Sequence, residues 1–424
     1  MNRLSNSCVR LSLGLLICIG IFACSSVDAN HGVRDACSDS LAEPMQVYDF
    51  VKGTQALVSV GITAYGSGDT KAIILSGMEE DLSAQGENRG RTPKIIQVGK
   101  GEISPPPVSD EETPIELPVP VSLPSGHWGV LWVDVEPNRP HRGEVPSSFY
   151  LRRLWFAEYN GSNWEPARLL LTTPRFGMDW DAHHTIRYSR TGEPMIMVVA
   201  RTDSVFSNKI MFGGVQSELR PVPVDPKVSV IGATFTIDSS GTVLVVASVQ
   251  SNDIGRQLLF LTSSDGGINW SLPETIPETT DPGDRLSLQV DSQQGIHLLI
   301  WNGNSDAMKH LVLPFGSKEW TKYSLASPRG VTMRWANGID RCGRLVIIRE
   351  VMRSPTELLV LEKSHWRDGI GWTPFERVYP GYFGMHLFNG VTPDGEWLTG
   401  WTGDRIPVNE VAPVLDLKVW MVAQ

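Results

Sequence analysis

The chain has 424 residues, 20% of them charged, and a formal net charge of −10. This acidic balance, with no clustered Lys/Arg face, argues against a nucleic-acid-binding surface. The 40 glycines, 29 prolines and 14 tryptophans indicate many turns and short strands rather than long helices.

The amino terminus has the pattern of an export signal. Arg3 and Arg10 precede an apolar run over residues 11–22, which is too short for a membrane span. Ile21-Phe22-Ala23-Cys24 resembles a bacterial lipobox. We therefore expect residues 1–24 to be an export signal and Cys24 to be lipidated, which would place the protein in the cell envelope. The alternative is cleavage after Ala29 and secretion.

Residues 25–44 have the composition of a tether ahead of a folded domain over residues 45–424. Of the five cysteines, Cys37 and Cys342 remain once Cys8, Cys18 and Cys24 are assigned to the signal and the lipid site. In an oxidising compartment Cys37 and Cys342 could form a disulfide that ties the tether to the domain, or they could be unrelated thiols.

A repeat begins after Pro124, in which a glycine turn precedes an apolar strand. Its strands are Val130–Trp132, Met195–Ala200, Val243–Ala247, His297–Trp301, Leu345–Ile348 and Trp397–Trp401. In four repeats a later strand is followed by a polar turn and a tryptophan, which we expect to start the outermost strand of a blade. A period of about 50 residues with four strands is typical of propeller blades.

The repeat does not by itself show which strand closes the ring of blades. The carboxy-terminal strand, residues 417–422, needs a partner, and an amino-terminal strand such as Lys94–Val98 would supply it and remove an open sheet edge. We therefore predict an all-β, six-bladed propeller of four-stranded blades. Seven blades result if residues 47–75 form a blade of their own.

One turn carries a specific motif. Residues 263–270, Ser-Ser-Asp-Gly-Gly-Ile-Asn-Trp, match the Asp box, Ser-x-Asp-x-Gly-x-x-Trp, with Ser263, Asp265, Gly267 and Trp270 at the fixed positions. The chain thereby resembles the sialidase and neuraminidase superfamily of Asp-box (BNR-repeat) propellers. The resemblance implies that these four residues are structural and lie on the face away from the site.

The same resemblance implies a site with three carboxylate-binding arginines, a tyrosine nucleophile activated by a glutamate, and an aspartate acid/base. Tyr382 lies in the loop where the nucleophile is expected, and Arg334 has a comparable position before the fifth repeat. No matching glutamate and aspartate can be assigned, so the sialidase set is incomplete.

The loops opposite the Asp-box turn should converge on a ligand-facing end. They contain carboxylates, histidines and arginines beside aromatic rings, which suits sugar recognition. The candidate catalytic residues are Asp181, His183, His184, Arg334, Glu350 and Tyr382. The candidate substrate-binding residues are Trp132, Arg201, Trp301, Trp335 and Arg349. Alternatively, residues 179–184 form a polar loop without a catalytic role, and Arg349 and Glu350 form an ion pair within their blade.

These observations favour a propeller that binds or processes an extracellular glycan, as a glycoside hydrolase or a polysaccharide lyase. The alternative is a non-catalytic recognition or scaffold propeller at the cell surface. We expect no metal or other cofactor, because the polar turns lack the dense aspartate spacing of a Ca²⁺ site. The expected partner is a glycan or another extracellular ligand, with a membrane contact only through the lipid anchor.

Overall fold

The computed structural model describes much of the chain beyond residue 44. The described residues are 45–50, 55–66, 72–81, 91–107, 116–135, 152–173, 186–201, 208–251, 255–277, 285–301, 308–325, 330–340, 342–352, 359–395, 397–405 and 414–421. These residues form strands and turns, with no helix among them. The predicted signal and tether, with Cys24 and Cys37, lie outside the described residues.

Five sheets have four antiparallel strands each, and we number them as blades 1 to 5 in chain order. Blade 1 contains β2 (Gln55–Tyr65), β3 (Ala72–Asp81), β4 (Arg91–Gln97) and β5 (Gly101–Ile103). Blade 2 contains β6 (Glu116–Ser122), β7 (Trp128–Val135), β8 (Arg152–Tyr159) and β9 (Arg168–Thr173). Blade 3 contains β10 (Ile186–Tyr188), β11 (Pro194–Arg201), β12 (Asn208–Gly214) and β13 (Arg220–Pro221). Blade 4 contains β14 (Ser229–Ile237), β15 (Val243–Ser251), β16 (Gly255–Ser263) and β17 (Glu274–Ile276). Blade 5 contains β18 (Arg285–Val290), β19 (Ile296–Trp301), β20 (Met308–Leu313) and β21 (Thr321–Ser324).

The sixth sheet has eight strands and contains two four-stranded units. Blade 6 contains β22 (Val331–Ile339), β23 (Leu345–Met352), β24 (Leu359–Arg367) and β25 (Gly371–Trp372). Blade 7 contains β26 (Glu376–Val391), β27 (Trp397–Arg405), β28 (Val414–Met421) and β1 (Met45–Phe50). The long strand β26 joins the two units, because its first half pairs with β24 and its second half with β27. The six sheets confirm the predicted all-β propeller with six blades, when each sheet is counted as one blade. The eight-stranded sheet contains two four-stranded units, which we number as blades 6 and 7 and which correspond to the alternative of seven blades.

An amino-terminal strand completes the last unit, but it is not the expected one. β1 pairs antiparallel with β28, from Met45 opposite Val419 to Phe50 opposite Leu415. The expected strand Lys94–Val98 corresponds to β4, which instead pairs with β3 and β5 inside blade 1. The expectation was wrong because residues 55–103 supply four strands of their own.

The two ends of the propeller differ in their connections. Among the described residues, short turns join the first strand to the second in blades 2 to 6 and the third strand to the fourth in blades 1 to 6. We call the end that holds these turns the turn end. The opposite loop end holds the connections between second and third strands and between blades, most of which lie outside the described residues.

Alternating side chains of each blade pack against the next blade, as the two-residue period of a strand requires. The interface between blades 3 and 4 (the 3/4 interface) is apolar, and its largest fully buried side chain is Phe235. The 2/3 and 4/5 interfaces contain similar clusters of valine, leucine and isoleucine. The 5/6 interface is different, because buried polar side chains accompany its apolar cluster.

Candidate functional site

The loop end is the candidate site, and its described part consists of strand ends. Arg285 begins β18, the innermost strand of blade 5, and is exposed. Its guanidinium carbon lies 4.7 Å from the ring centroid of Trp301, which ends β19 and is Arg285's cross-strand partner. A cation over an indole face is attracted by the ring quadrupole, so the stacking holds the guanidinium in place at the solvent boundary. Sequence analysis selected Trp301 but missed Arg285, because only the strand register brings the two together.

Trp335, on the innermost strand of blade 6, packs against the cluster that contains Trp301. Its cross-strand partner Arg349 therefore faces the same interface. Arg349 is buried and donates from Nε and Nη2 to Glu362 Oε2, at 3.2 and 2.9 Å, with its guanidinium 3.3 Å from the Phe375 centroid. Burial lowers the pKa of Arg349, and the contacts with Glu362 oppose that effect. Arg349 is therefore a buried part of the interface that contains Trp301 and Trp335, where its guanidinium is held by Glu362.

Arg334 and Glu350 lie opposite each other on β22 and β23, on the other face of blade 6 from Trp335 and Arg349. Arg334 is half-buried, whereas Glu350 is 2% exposed. A carboxyl group at that depth is separated from solvent, so its predicted catalytic role would need a ligand to reach into the blade.

Blade 2 carries a second arginine–aromatic group near the loop end. Arg153 donates from Nε and Nη2 to the two carboxylate oxygens of Asp134, both at 2.8 Å, and its guanidinium lies 5.3 Å from the Trp155 centroid. Trp132, the cross-strand partner of Trp155, is fully buried. Trp132, which was predicted to bind substrate, is therefore buried in blade 2 and does not lie at the surface.

The remaining predicted site residues are not placed. Asp181, His183 and His184 lie outside the described residues. Arg201 ends β11, and Tyr382 pairs with Leu359 on β24, but their side chains lie outside what is described.

At the turn end, the 263–270 turn is closed by its own side chains. Asp265 Oδ1 accepts hydrogen bonds from Ser263 Oγ and from the backbone N–H groups of Ile268 and Asn269, at 2.8, 3.1 and 2.9 Å. The bonds from Asn269 and Ser263 lower the pKa of the Asp265 carboxyl to about 2. Trp270 follows this turn and packs edge-on against Phe212 of blade 3.

The tryptophans after the polar turns only partly match their predicted place in the outermost strands. Trp372 lies within β25 and Trp320 directly precedes β21, but Trp164 and Trp270 precede β9 and β17 by several residues.

The turn end of the 5/6 interface contains a buried chain of hydrogen bonds that sequence analysis did not find. Trp372 Nε1–H donates to His310 Nδ1 at 3.1 Å, and His310 Nε2 lies 3.0 Å from His297 Nδ1. His297 Nε2 lies 2.9 Å from Asp291 Oδ2. The indole can only donate, so the consistent arrangement places a proton on Nε2 of each histidine and runs in one direction to the carboxylate.

Burial and the neighbouring His297 lower the pKa of His310 well below its ordinary value, which keeps this imidazole neutral. Asp291 Oδ1 also accepts the backbone N–H groups of Gln293 and Gly295. The chain thus joins the turn of blade 5 to the outer strand of blade 6.

Cys342, one half of the predicted disulfide, is disulfide-bonded and lies in the turn between β22 and β23. Among the described residues, no group of three or more His, Cys, Asp or Glu side chains is arranged to hold a metal ion. A search of the same part of the chain finds no helix with the length and hydropathy needed to cross a membrane.

No protein-family model and no curated protein matches the chain. Among solved structures, it is similar to a polysaccharide lyase, an ulvan lyase bound to GlcA(1-4)Rha3S, with a TM-score of 0.51 and 10% identity over 90% of this chain and 96% of that one. It is also similar to the Hadza microbial sialidase, with a TM-score of 0.41 and 10% identity over 87% of this chain and 66% of that one. An α-L-arabinanase of Penicillium chrysogenum has a TM-score of 0.45 and 10% identity, over 73% and 94% of the two chains. The similarity to the ulvan lyase shows a shared fold.

Proposed function

We propose that this chain is an exported propeller that binds or processes an extracellular glycan at its loop end, and that the glycan carries acidic groups. The observation that carries the proposal is the exposed Arg285 guanidinium over Trp301 at the start of an innermost strand. A stacked arginine can still donate hydrogen bonds in its plane, which suits a carboxylate or sulfate. Trp335 and the half-buried Arg334 are the neighbouring groups that would contact the sugar.

Two reactions fit this proposal. In a lyase, His183, His184 or Tyr382 would remove the proton at C5 of a uronate while an arginine neutralises the carboxylate. The C4–O bond would then break and the leaving oxygen would take up a proton, giving an unsaturated sugar and a new reducing end. In a hydrolase, Asp181 would supply acid/base chemistry and water would take up the glycosyl group. The propeller fold shared with the ulvan lyase is compatible with either reaction. Residues 263–270 would serve as a structural Asp box.

A non-catalytic recognition propeller is the second candidate. The observation that favours it is the burial of Glu350 and the commitment of Arg349 to Glu362, which leave these two groups in structural roles. Such a propeller would bind the same acidic glycan through Arg285 and leave it intact.

The test is a screen of the mature chain against sialosides, uronate-containing polysaccharides and neutral glycans. New reducing ends without ultraviolet absorbance indicate hydrolysis, and both signals together indicate a lyase. Binding without either signal indicates recognition. Failure to bind any acidic glycan contradicts the proposal.

Arg285→Ala should weaken binding of the acidic glycan about tenfold, because one charge-assisted hydrogen-bonding group is lost. Arg190→Ala is the matched control, since Arg190 is an exposed arginine in a turn-end loop. Equal losses in both variants would mean that the effect is one of net charge and not of the loop end.

A further inference from the structure

Four large apolar side chains are exposed on three consecutive blades. Ile268 and Leu272 lie in the turn between the third and fourth strands of blade 4, with 65% and 86% exposure. Phe315 and Ile370 lie in the corresponding turns of blades 5 and 6, each with 77% exposure. We call these four residues the apolar rim.

The corresponding turns of blades 1 to 3 are polar. Their exposed residues are Gly99 and Lys100 in blade 1, Asn160 to Asn163 with Glu165 and Pro166 in blade 2, and Gln216 to Glu218 in blade 3, with no large aliphatic or aromatic side chain among them. Single exposed apolar residues are ordinary on protein surfaces, but the same position in three successive blades is not a scattered distribution. The rim therefore distinguishes one side of the turn end.

The chain enters the propeller at this same end. Leu398, at the turn-end start of β27, pairs with Met421, so β28 runs from the loop end to the turn end. β1 runs antiparallel to β28 and begins with Met45 opposite Val419. Met45, the first described residue, thus lies at the turn end of blade 7, beside blade 6.

A covalent link lies at the turn end as well. Cys342 is disulfide-bonded within the turn between the first and second strands of blade 6.

We propose that the turn end of blades 4 to 6 rests on a phospholipid bilayer and that the apolar rim inserts into the boundary between headgroups and acyl chains. Burial of apolar side chains would drive the contact, since a net charge of −10 supplies no general attraction to anionic lipid. A lipid on Cys24, as expected from the sequence, would add a second anchor. The loop end would then face away from the membrane, towards an extracellular ligand.

The experiment is flotation of the full mature chain, without lipid on Cys24, with vesicles of phosphatidylethanolamine and phosphatidylglycerol. The variant replaces the whole rim: Ile268→Ser, Leu272→Ser, Phe315→Ser and Ile370→Ser. The matched control is Leu169→Ser with Val331→Ser, two exposed apolar residues outside the rim. Circular dichroism and thermal unfolding check that each variant is folded.

The native chain and the control should float with the vesicles, and the rim variant should bind at least about tenfold more weakly, because it loses four apolar contacts. Binding of the native chain should persist at high salt. The proposal is overturned if the native chain does not float, or if the rim variant binds like the control. It is also overturned if sedimentation shows that the rim instead holds two copies of the chain together. None of these outcomes depends on glycan binding.

Discussion

The 3/4 and 5/6 interfaces each join two neighbouring blades, but the first is apolar and the second contains buried polar side chains. Phe212, Phe235 and Trp270 interlock edge-on at the 3/4 interface. At the 5/6 interface, two stacked and fully buried histidines link Asp291 to Trp372. Apolar contacts are non-directional, whereas a buried polar chain stabilises only when every donor meets its acceptor. The 5/6 interface should therefore be the more sensitive to single changes and to pH.

The largest expected effect is that of Asp291→Ala, because it leaves His297 Nε2–H and two backbone N–H groups without their acceptor. We expect a loss of about 4 kcal/mol in the free energy of unfolding. Denaturant unfolding at pH 8 measures it. Asp238→Ala is the control, since Asp238 accepts the backbone N–H groups of Ser240 and Thr242 in the corresponding turn of blade 4. That variant should lose about 1 kcal/mol, and equal losses would contradict the importance of the histidine chain.

The apolar interface should respond most to added volume. Gly267 has a φ of 91°, and a Cβ there would lie 2.5 Å from Phe212. Gly267→Ala should therefore cost about 3 kcal/mol, by backbone strain together with overpacking. Gly266 has a φ of 72° and nothing within 4 Å of a Cβ, so Gly266→Ala isolates the backbone strain at about 1 kcal/mol. Thermal unfolding of both variants separates the two contributions.

The pH dependence should come from the polar interface. Because the folded-state pKa of His310 lies well below 6.5, its contribution is complete above pH 6.5 and is lost as the pH falls and the unfolded state takes up protons. One such histidine should cost about 1.4 kcal/mol between pH 7.5 and 5.5.

The variant His297→Leu/His310→Leu should reduce this loss, because it removes the buried imidazoles. Denaturant unfolding at the two pH values measures the difference between the variant and the native chain. An unchanged pH dependence in the variant would assign the effect to groups other than these two histidines.

A smaller effect should follow from the loss of one indole donor. Trp372→Phe keeps the ring contacts but leaves His310 Nδ1 without its donor, at a cost of about 1 kcal/mol. Trp270→Phe removes a 3.1 Å bond to Gly267 O at the exposed 263–270 turn and should cost less. A larger loss of stability in Trp270→Phe than in Trp372→Phe would mean that Trp372 contributes mainly through ring packing.

Much of the fold was predictable because glycine turns and apolar strands recur along the chain. The six predicted strands from Val130–Trp132 to Trp397–Trp401 lie within β7, β11, β15, β19, β23 and β27. Closure by an amino-terminal strand was predicted, but not which strand, since β1 and β28 pair across nearly the whole chain and carry no local signal of each other.

The candidate site was predictable only in part. Trp301, Trp335 and Arg349 were selected from loop position, and the structure brings these three to one interface. Arg285 and the His297–His310 pair were missed because their partners come from strand register and from the neighbouring blade. Spacing along the sequence does not encode these contacts.

The central claim is that an acidic glycan binds at the loop end, and a crystal structure of the native chain with a bound acidic oligosaccharide tests it most directly. We expect an acidic group of the sugar within hydrogen-bonding distance of the Arg285 guanidinium, with a sugar ring near Trp335. An oligosaccharide bound instead at the turn end, with Arg285 facing solvent, would contradict the account.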